Sequence, residues 1–202
     1  MIGSIQYGNK RRSTTGGFNS QGINNHPDIG SLQWEAPVLY DPLDHMDLFT
    51  VGQTLHISSD FGSSWKALYD FGDGAYQHLA KSENGQEVIL ASKNENLYRS
   101  VDEGTSFAQV GAATLPNSGI QDIAFDPTND NNVVVVYGHH QDDIPRIFKS
   151  TDGGVTWADI THNLNAMPIR TVVIDHTEDK NIYLGAEIGI YKMPWSNNQY
   201  EL

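Results

Sequence analysis

The feature that most constrains this chain is an octet that occurs three times, S-x-D-x-G-x-[ST]-[WF]. It reads SSDFGSSW from Ser58, SVDEGTSF from Ser100 and STDGGVTW from Ser150. Two worn copies flank the three. STTGGFNS from Ser13 keeps the serine and the glycine with Thr15 in place of the aspartate, and MPWSNNQY from Met193 keeps only an aromatic, Tyr200. The copies begin at 13, 58, 100, 150 and 193, so the steps are 45, 42, 50 and 43 residues. Repeats of that length are the size of a four-stranded propeller blade.

The sequence between the octets agrees. Before the fourth copy come IQDIAFDP, alternating apolar and polar, the turn TNDNN, the β-branched run VVVVYG, and RIFKS; WADIT follows the octet. The same order recurs as APVLYDP, DLFTVG, TLHIS and WKALYDF, and again as RTVVIDH, NIYLGAE and GIYKM. Such short runs bounded by Gly, Asn, Asp and Pro are strands, and no helical period competes with them. The expected fold is an all-β propeller of four-stranded antiparallel blades, one domain over 1–202 with units 1–22, 23–71, 72–111, 112–162 and 163–202.

Each octet lies between the third and fourth strands of its unit, where every residue type has a folding role. A tight turn leaves amides pointing inward, which an aspartate carboxylate accepts while Ser or Thr hydroxyls close the ring. Glycine supplies a positive φ, and the terminal Trp or Phe buries a ring, stabilising by about 2–3 kcal/mol. The structural set is therefore Ser58, Asp60, Gly62 and Trp65; Ser100, Asp102, Gly104 and Phe107; Ser150, Asp152, Gly154 and Trp157. A calcium loop would need more than one carboxylate per turn. Asp41, Asp126 and Asp175 recur at one place in the unit and read as turn formers, because catalysis happens once per propeller and not once per blade.

The octets resemble Asp-boxes, also called BNR repeats, which occur in sialidases, sortilin-type receptors, xyloglucan-degrading glycosidases and a photosystem-assembly factor. DIAFDPTNDNNVVVVYG, IFKSTDGGVTW and IYLGAEIGIYKM are most similar to sortilin-type repeat modules of large secreted bacterial proteins. The resemblance implies structural boxes on a rim away from the ligand site, and an exported, extracellular or cell-surface location within a larger protein. It does not carry the sialidase chemistry, which binds a carboxylate with three arginines. Of the five here, Arg11, Arg12 and Arg99 sit at or next to boxes, leaving Arg146 and Arg170.

Counting strands gives three in the first unit, which starts at its second strand SIQYG, four in each of the next three, and three in the last. That is four to five blades in an incomplete arc of a larger propeller, with further blades or other chains expected at its open ends; a closed five-blade ring is the alternative.

Composition narrows function. A net charge of −13, from 25 acidic against 12 basic residues, leaves only Lys10-Arg11-Arg12 as a basic cluster, so no nucleic-acid partner is expected. No cysteine means no disulfide and no thiolate metal site, and no apolar stretch reaches membrane-spanning or signal-peptide length. Ligands are expected at the channel rim opposite the boxes, where His139, His140, Asp142, Asp143 and Arg146 cluster in HHQDDIPR and Glu187 lies in GAEIG. No metal, cofactor or catalytic residue is assigned. The expected function is a non-catalytic binding or scaffold module recognising protein or glycan; the alternative is part of a carbohydrate-active glycoside hydrolase, xyloglucanase-like rather than sialidase.

Overall fold

The computed structural model describes residues 2–4, 10–23, 37–72, 76–141, 144–196 and 199–201. Among them there are eighteen strands and no helix. Blade I holds β1 (Ile2–Ser4), β2 (Lys10–Arg12) and β3 (Gln21–Gly22); blade II holds β4 (Val38–Tyr40), β5 (Leu48–Val51), β6 (Thr54–Ser58) and β7 (Lys66–Asp70). Blade III is β8 (Tyr76–Lys81), β9 (Ile89–Lys93), β10 (Asn96–Ser100) and β11 (Ala108–Val110). Blade IV is β12 (Ile120–Asp126), β13 (Asn129–Tyr137), β14 (Ile147–Ser150) and β15 (Ala158–Asp159). Blade V is β16 (Ile169–Ile174), β17 (Asn181–Ala186) and β18 (Gly189–Pro194). Glu201 bridges Lys192 where a fourth strand would run. Among the described residues every pairing is antiparallel and sequential, the propeller pattern, and the ring is not closed. Part of SIQYG lies outside the described residues; β1 is placed at Ile2–Ser4, paired with Lys10–Arg12.

The boxes are built from the same hydrogen bonds. In blade II the Ser58 hydroxyl donates to Asp60 Oδ1 at 2.8 Å and accepts from the Gly62 amide at 2.7 Å. Asp60 then takes the Ser64 amide and hydroxyl, both at 2.7 Å. Blade III repeats this with Ser100, Asp102, Gly104 and Ser106, and blade IV with Ser150, Asp152, Gly154 and Thr156. Blade I keeps the frame without a carboxylate: Ser13 accepts from the Gly17 amide at 2.9 Å and the Thr15 hydroxyl from the Asn19 amide at 3.1 Å. The box glycines have φ of +81°, +82° and +89° at Gly62, Gly104 and Gly154. A Cβ on Gly104 would lie 2.6 Å from Leu55 of the preceding blade, so the turn is also where blades touch.

Packing distinguishes inner from outer blades. Val133, Val134, Val135 and Val136 of β13 are all fully buried, because β13 is covered on both faces. Val133 and Val135 pack toward blade III, Val134 and Val136 toward blade V. Each such valine contributes about 1.5–3 kcal/mol. In β16 burial alternates instead: Val172 and Ile174 are buried against blade IV while Val173 is 56% exposed.

The joints carry polar ties as well. Arg12, Arg99 and Lys149, each one residue before its box serine, reach forward to the box turn of the next blade. The Arg12 guanidinium donates to the Phe61 carbonyl and the Ser63 hydroxyl, Arg99 to the Gly153 carbonyl at 2.6 Å, and Lys149 to the Trp195 carbonyl at 3.2 Å. Between blades II and III that position is Ile57, and the joint instead holds a buried ion pair, Lys81 to Asp41 at 2.6 Å. Lys180 to Asp126 at 2.8 Å joins blades IV and V. The recurring aspartates are turn formers too: Asp126 accepts from Thr128 and Asn132, and Asp175 from Thr177 and Asn181.

Candidate functional site

The first strands of blades II to V, β4, β8, β12 and β16, line the central channel and enclose a cavity of about 780 Å³. Its wall is apolar, with Val38, Leu79, Ile123, Phe125, Val172 and Val173 among the lining residues. Asp41, His45, Glu83 and His176 fringe it. These lie on the connections from first to second strand, the rim shared with the boxes, as the Phe61 amide bonded to the Met46 carbonyl at 3.0 Å marks. Asp41 is neutralised by Lys81.

At the other mouth the inner strands carry a repeated irregularity. The register shifts between Tyr76 and His78, Ile120 and Asp122, and Ile169 and Thr171. Such a bulge turns one extra side chain outward. It brings His78, Asp122 and Thr171 to one level of three successive blades. Asp122 accepts the Thr171 hydroxyl at 2.7 Å and the Val172 amide at 2.9 Å. Burial lowers the His78 pKa, opposed by the charge of Asp122. The extra residues also meet, Arg170 donating to Gln121 at 3.2 Å and to Glu187 at 3.1 Å.

The expected rim residues surround the mouth opposite the boxes, where Gln121 lies against Gly138, the neighbour of His139, and bonds the Arg170 that holds Glu187. Glu187 accepts from the Arg170 side chain at 3.1 Å. Arg146 is 2% exposed and gives its guanidinium to the Gln141 and Leu164 carbonyls at 2.8 and 3.2 Å, pinning its own loop to the next connection. His139 is half-buried, with Nε2 3.3 Å from the Pro145 carbonyl, while His140 is exposed. Asp142 and Asp143 lie outside the described residues. None of His139, His140, Arg146 or Glu187 lines the 780 Å³ cavity. The level of His78, Asp122 and Thr171 was visible only by aligning YQH, IQD and IRT across units.

On the box rim, hydrogen bonds from the Ser64 side chain and amide hold the Asp60 carboxyl down to about 2. Ser106 and Ser100 likewise hold Asp102 below the usual carboxylate range. Glu103 moves the other way, raised by the hydrogen bond its protonated carboxyl donates to Glu87 and by the Glu87 charge. That pair lies on connections of blade III, Glu103 exposed and Glu87 half-buried, within reach of the Lys81 and Asp41 charges. Among the described residues no group of three His, Asp or Glu is arranged to hold a metal, and no helix is long and apolar enough to cross a membrane.

A family model described as Sortilin, neurotensin receptor 3, matches residues 53–185. No curated protein sequence matches. Among solved structures, the GH74 enzyme of Niastella koreensis superposes with a TM-score of 0.79 at 15% identity, covering 99% of this chain and 34% of that one. The GH74 xyloglucanase of Xanthomonas campestris gives 0.63 at 16%, covering 99% and 36%. YCF48 bound to D1 peptide gives 0.66 at 14%, covering 98% and 62%. At these identities the likeness establishes the propeller fold alone. The chain spans about a third of the GH74 chains and about three-fifths of the YCF48 chain.

Proposed function

The chain belongs to the Sortilin-Vps10 family, and from that premise we propose that it is a non-catalytic binding or scaffold module of an exported protein. The ligand is a polypeptide or a glycan held in the central channel. The observation that carries this reading is the 780 Å³ cavity with an apolar wall and a polar fringe, the build of a recognition site. Of the three acids that line it, Asp41 is committed to Lys81 and Asp122 to Thr171 and Val172, which leaves Glu83. The charge of −13 favours a ligand with basic residues. A peptide is the better-supported ligand, since an apolar wall rewards side-chain burial and the YCF48 propeller was solved with a peptide bound.

The second reading is part of a glycoside hydrolase, favoured by the likeness to two GH74 folds. That chemistry needs two carboxyl groups about 5–10 Å apart across the scissile bond. With Asp41 and Asp122 engaged, the described residues of the lining supply one acid where two are needed.

The test is selection from a random peptide display library and a glycan array on the full chain, repeated with Val173→Arg, which puts a charge on the exposed part of the wall. We expect peptides rich in Lys, Arg and apolar residues, weakened at least about tenfold by the substitution. Binders indifferent to Val173→Arg, or none at all, would reject the channel as the site. Hydrolysis of xyloglucan would replace this reading with the second.

A further inference from the structure

Every tie that precedes a box serine points one way, from a blade to the turn of the blade after it. Lys192 holds that position in blade V, since Met193 pairs with Ile182 as Ser150 pairs with Val133. Its ammonium lies 6.0 Å from the ring of Tyr183 on its own blade, and its side chain is exposed. Ile190 pairs with Gly185 as Ile147 pairs with Val136. Ile147 is fully buried by the next blade; Ile190 is 68% exposed. Blade V thus presents the donor half of a joint.

Blade I presents the acceptor half. Gly16 holds the place of Gly153, where an added Cβ would lie 3.2 Å from the Arg99 guanidinium; at Gly16 no atom of the described residues comes within 4 Å of one. Phe18 holds the place of Ser63, the residue that Arg12 reaches, and is 93% exposed. An aromatic suits a lysine there: Lys149 already sits 4.7 Å from the ring of Trp195 while bonding its carbonyl. The charges match as well. Residues 1–22 hold three basic and no acidic side chains, whereas 163–202 hold five acidic against three basic.

We infer that these end faces are the two halves of one joint and that the occupant of each is a second copy of this chain, docked head to tail. Lys192 of one copy lies on the Gly16–Phe18 turn of the next, with Ile190 covered by the joint. The association continues the blade-to-blade packing that the chain repeats internally, and opposite charges steer it. It rests on the chain being an open arc and not on what the channel binds.

The test is the mass of the full chain in solution across concentration, by light scattering. We expect it to rise above 22.4 kDa with concentration, less so in high salt, and Lys192→Glu or Phe18→Ser to shift the transition at least about tenfold. Both side chains are exposed, so melting curves of the dilute variants should match the parent. Because the chain has no cysteine, Lys192→Cys and Phe18→Cys copies can be mixed under oxidation. A cross-linked heterodimer should form faster than either homodimer. A mass of 22.4 kDa at every concentration, or homodimers forming as fast as the heterodimer, would overturn the inference. Neither result touches channel binding, which peptide capture reads separately.

Discussion

At the scale of the residue, the box is a hydrogen-bond circuit whose parts are not equivalent. The serine hydroxyl both donates to the aspartate and receives the glycine amide, and that amide is buried. Ser150→Ala therefore strands a buried donor, at a cost of about 1–3 kcal/mol, visible as a fall in Tm of roughly 3–10 °C. An unchanged Tm would mean that water replaces the hydroxyl. The circuit was legible in the sequence because all its members lie within eight residues. The His78, Asp122 and Thr171 level was not, because each bulge shifts the inner strand by one residue and a regular period-two reading misplaces it. The role of Arg146 was also hidden: its carbonyl partners lie five and eighteen residues away in irregular backbone.

At the scale of the element, a strand's burial depends on its neighbours more than on its own pattern. β14 and β18 have the same register in their blades, yet Ile147 is fully buried and Ile190 is 68% exposed. Ile147→Ala should cost about 2–5 kcal/mol, whereas Ile190→Ala in dilute solution should change stability by no more than about 0.5 kcal/mol. Chemical denaturation of the two variants measures the difference, and equal losses would mean that blade V is covered in the isolated chain. The number of strands per blade was legible because turn residues punctuate the chain locally. Which faces touch was less so. VVVVYG announces a strand buried on both sides, but no local signal tells Lys149 from Lys192, since the carbonyl that Lys149 reaches is 46 residues away.

At the scale of the whole molecule, the acid groups set the pH range of stability. The Asp60 carboxyl is held down to about 2 by Ser64, and Asp175 also to about 2, where hydrogen bonds from Asn181 and Thr177 outweigh the opposing desolvation. A carboxyl with a depressed folded pKa stabilises fully above its unfolded value, near 4, and that stabilisation is lost as pH falls through the folded value. Glu103, raised by Glu87, acts with the opposite sign: its contribution is present below the ordinary carboxylate range and fades as pH rises. Depressed carboxyls outnumber raised ones, and burial lowers the pKa of His56 and His78, so Tm should ease down from about pH 6.5 and fall steeply from about pH 4.5 towards pH 2. A melting series across that range checks it, and a Tm that rises on acidification would contradict it.

The forward reach of Arg12, Arg99 and Lys149 gives the arc a polarity that no individual blade reveals. A pair joined by a single self-complementary contact would bring cation against cation or turn against turn, leaving one kind of end unsatisfied. Assembly through these faces must therefore be rotational, either closing into a cyclic ring or running on as a fibre. The small angle fixed between neighbouring blades decides which of the two forms.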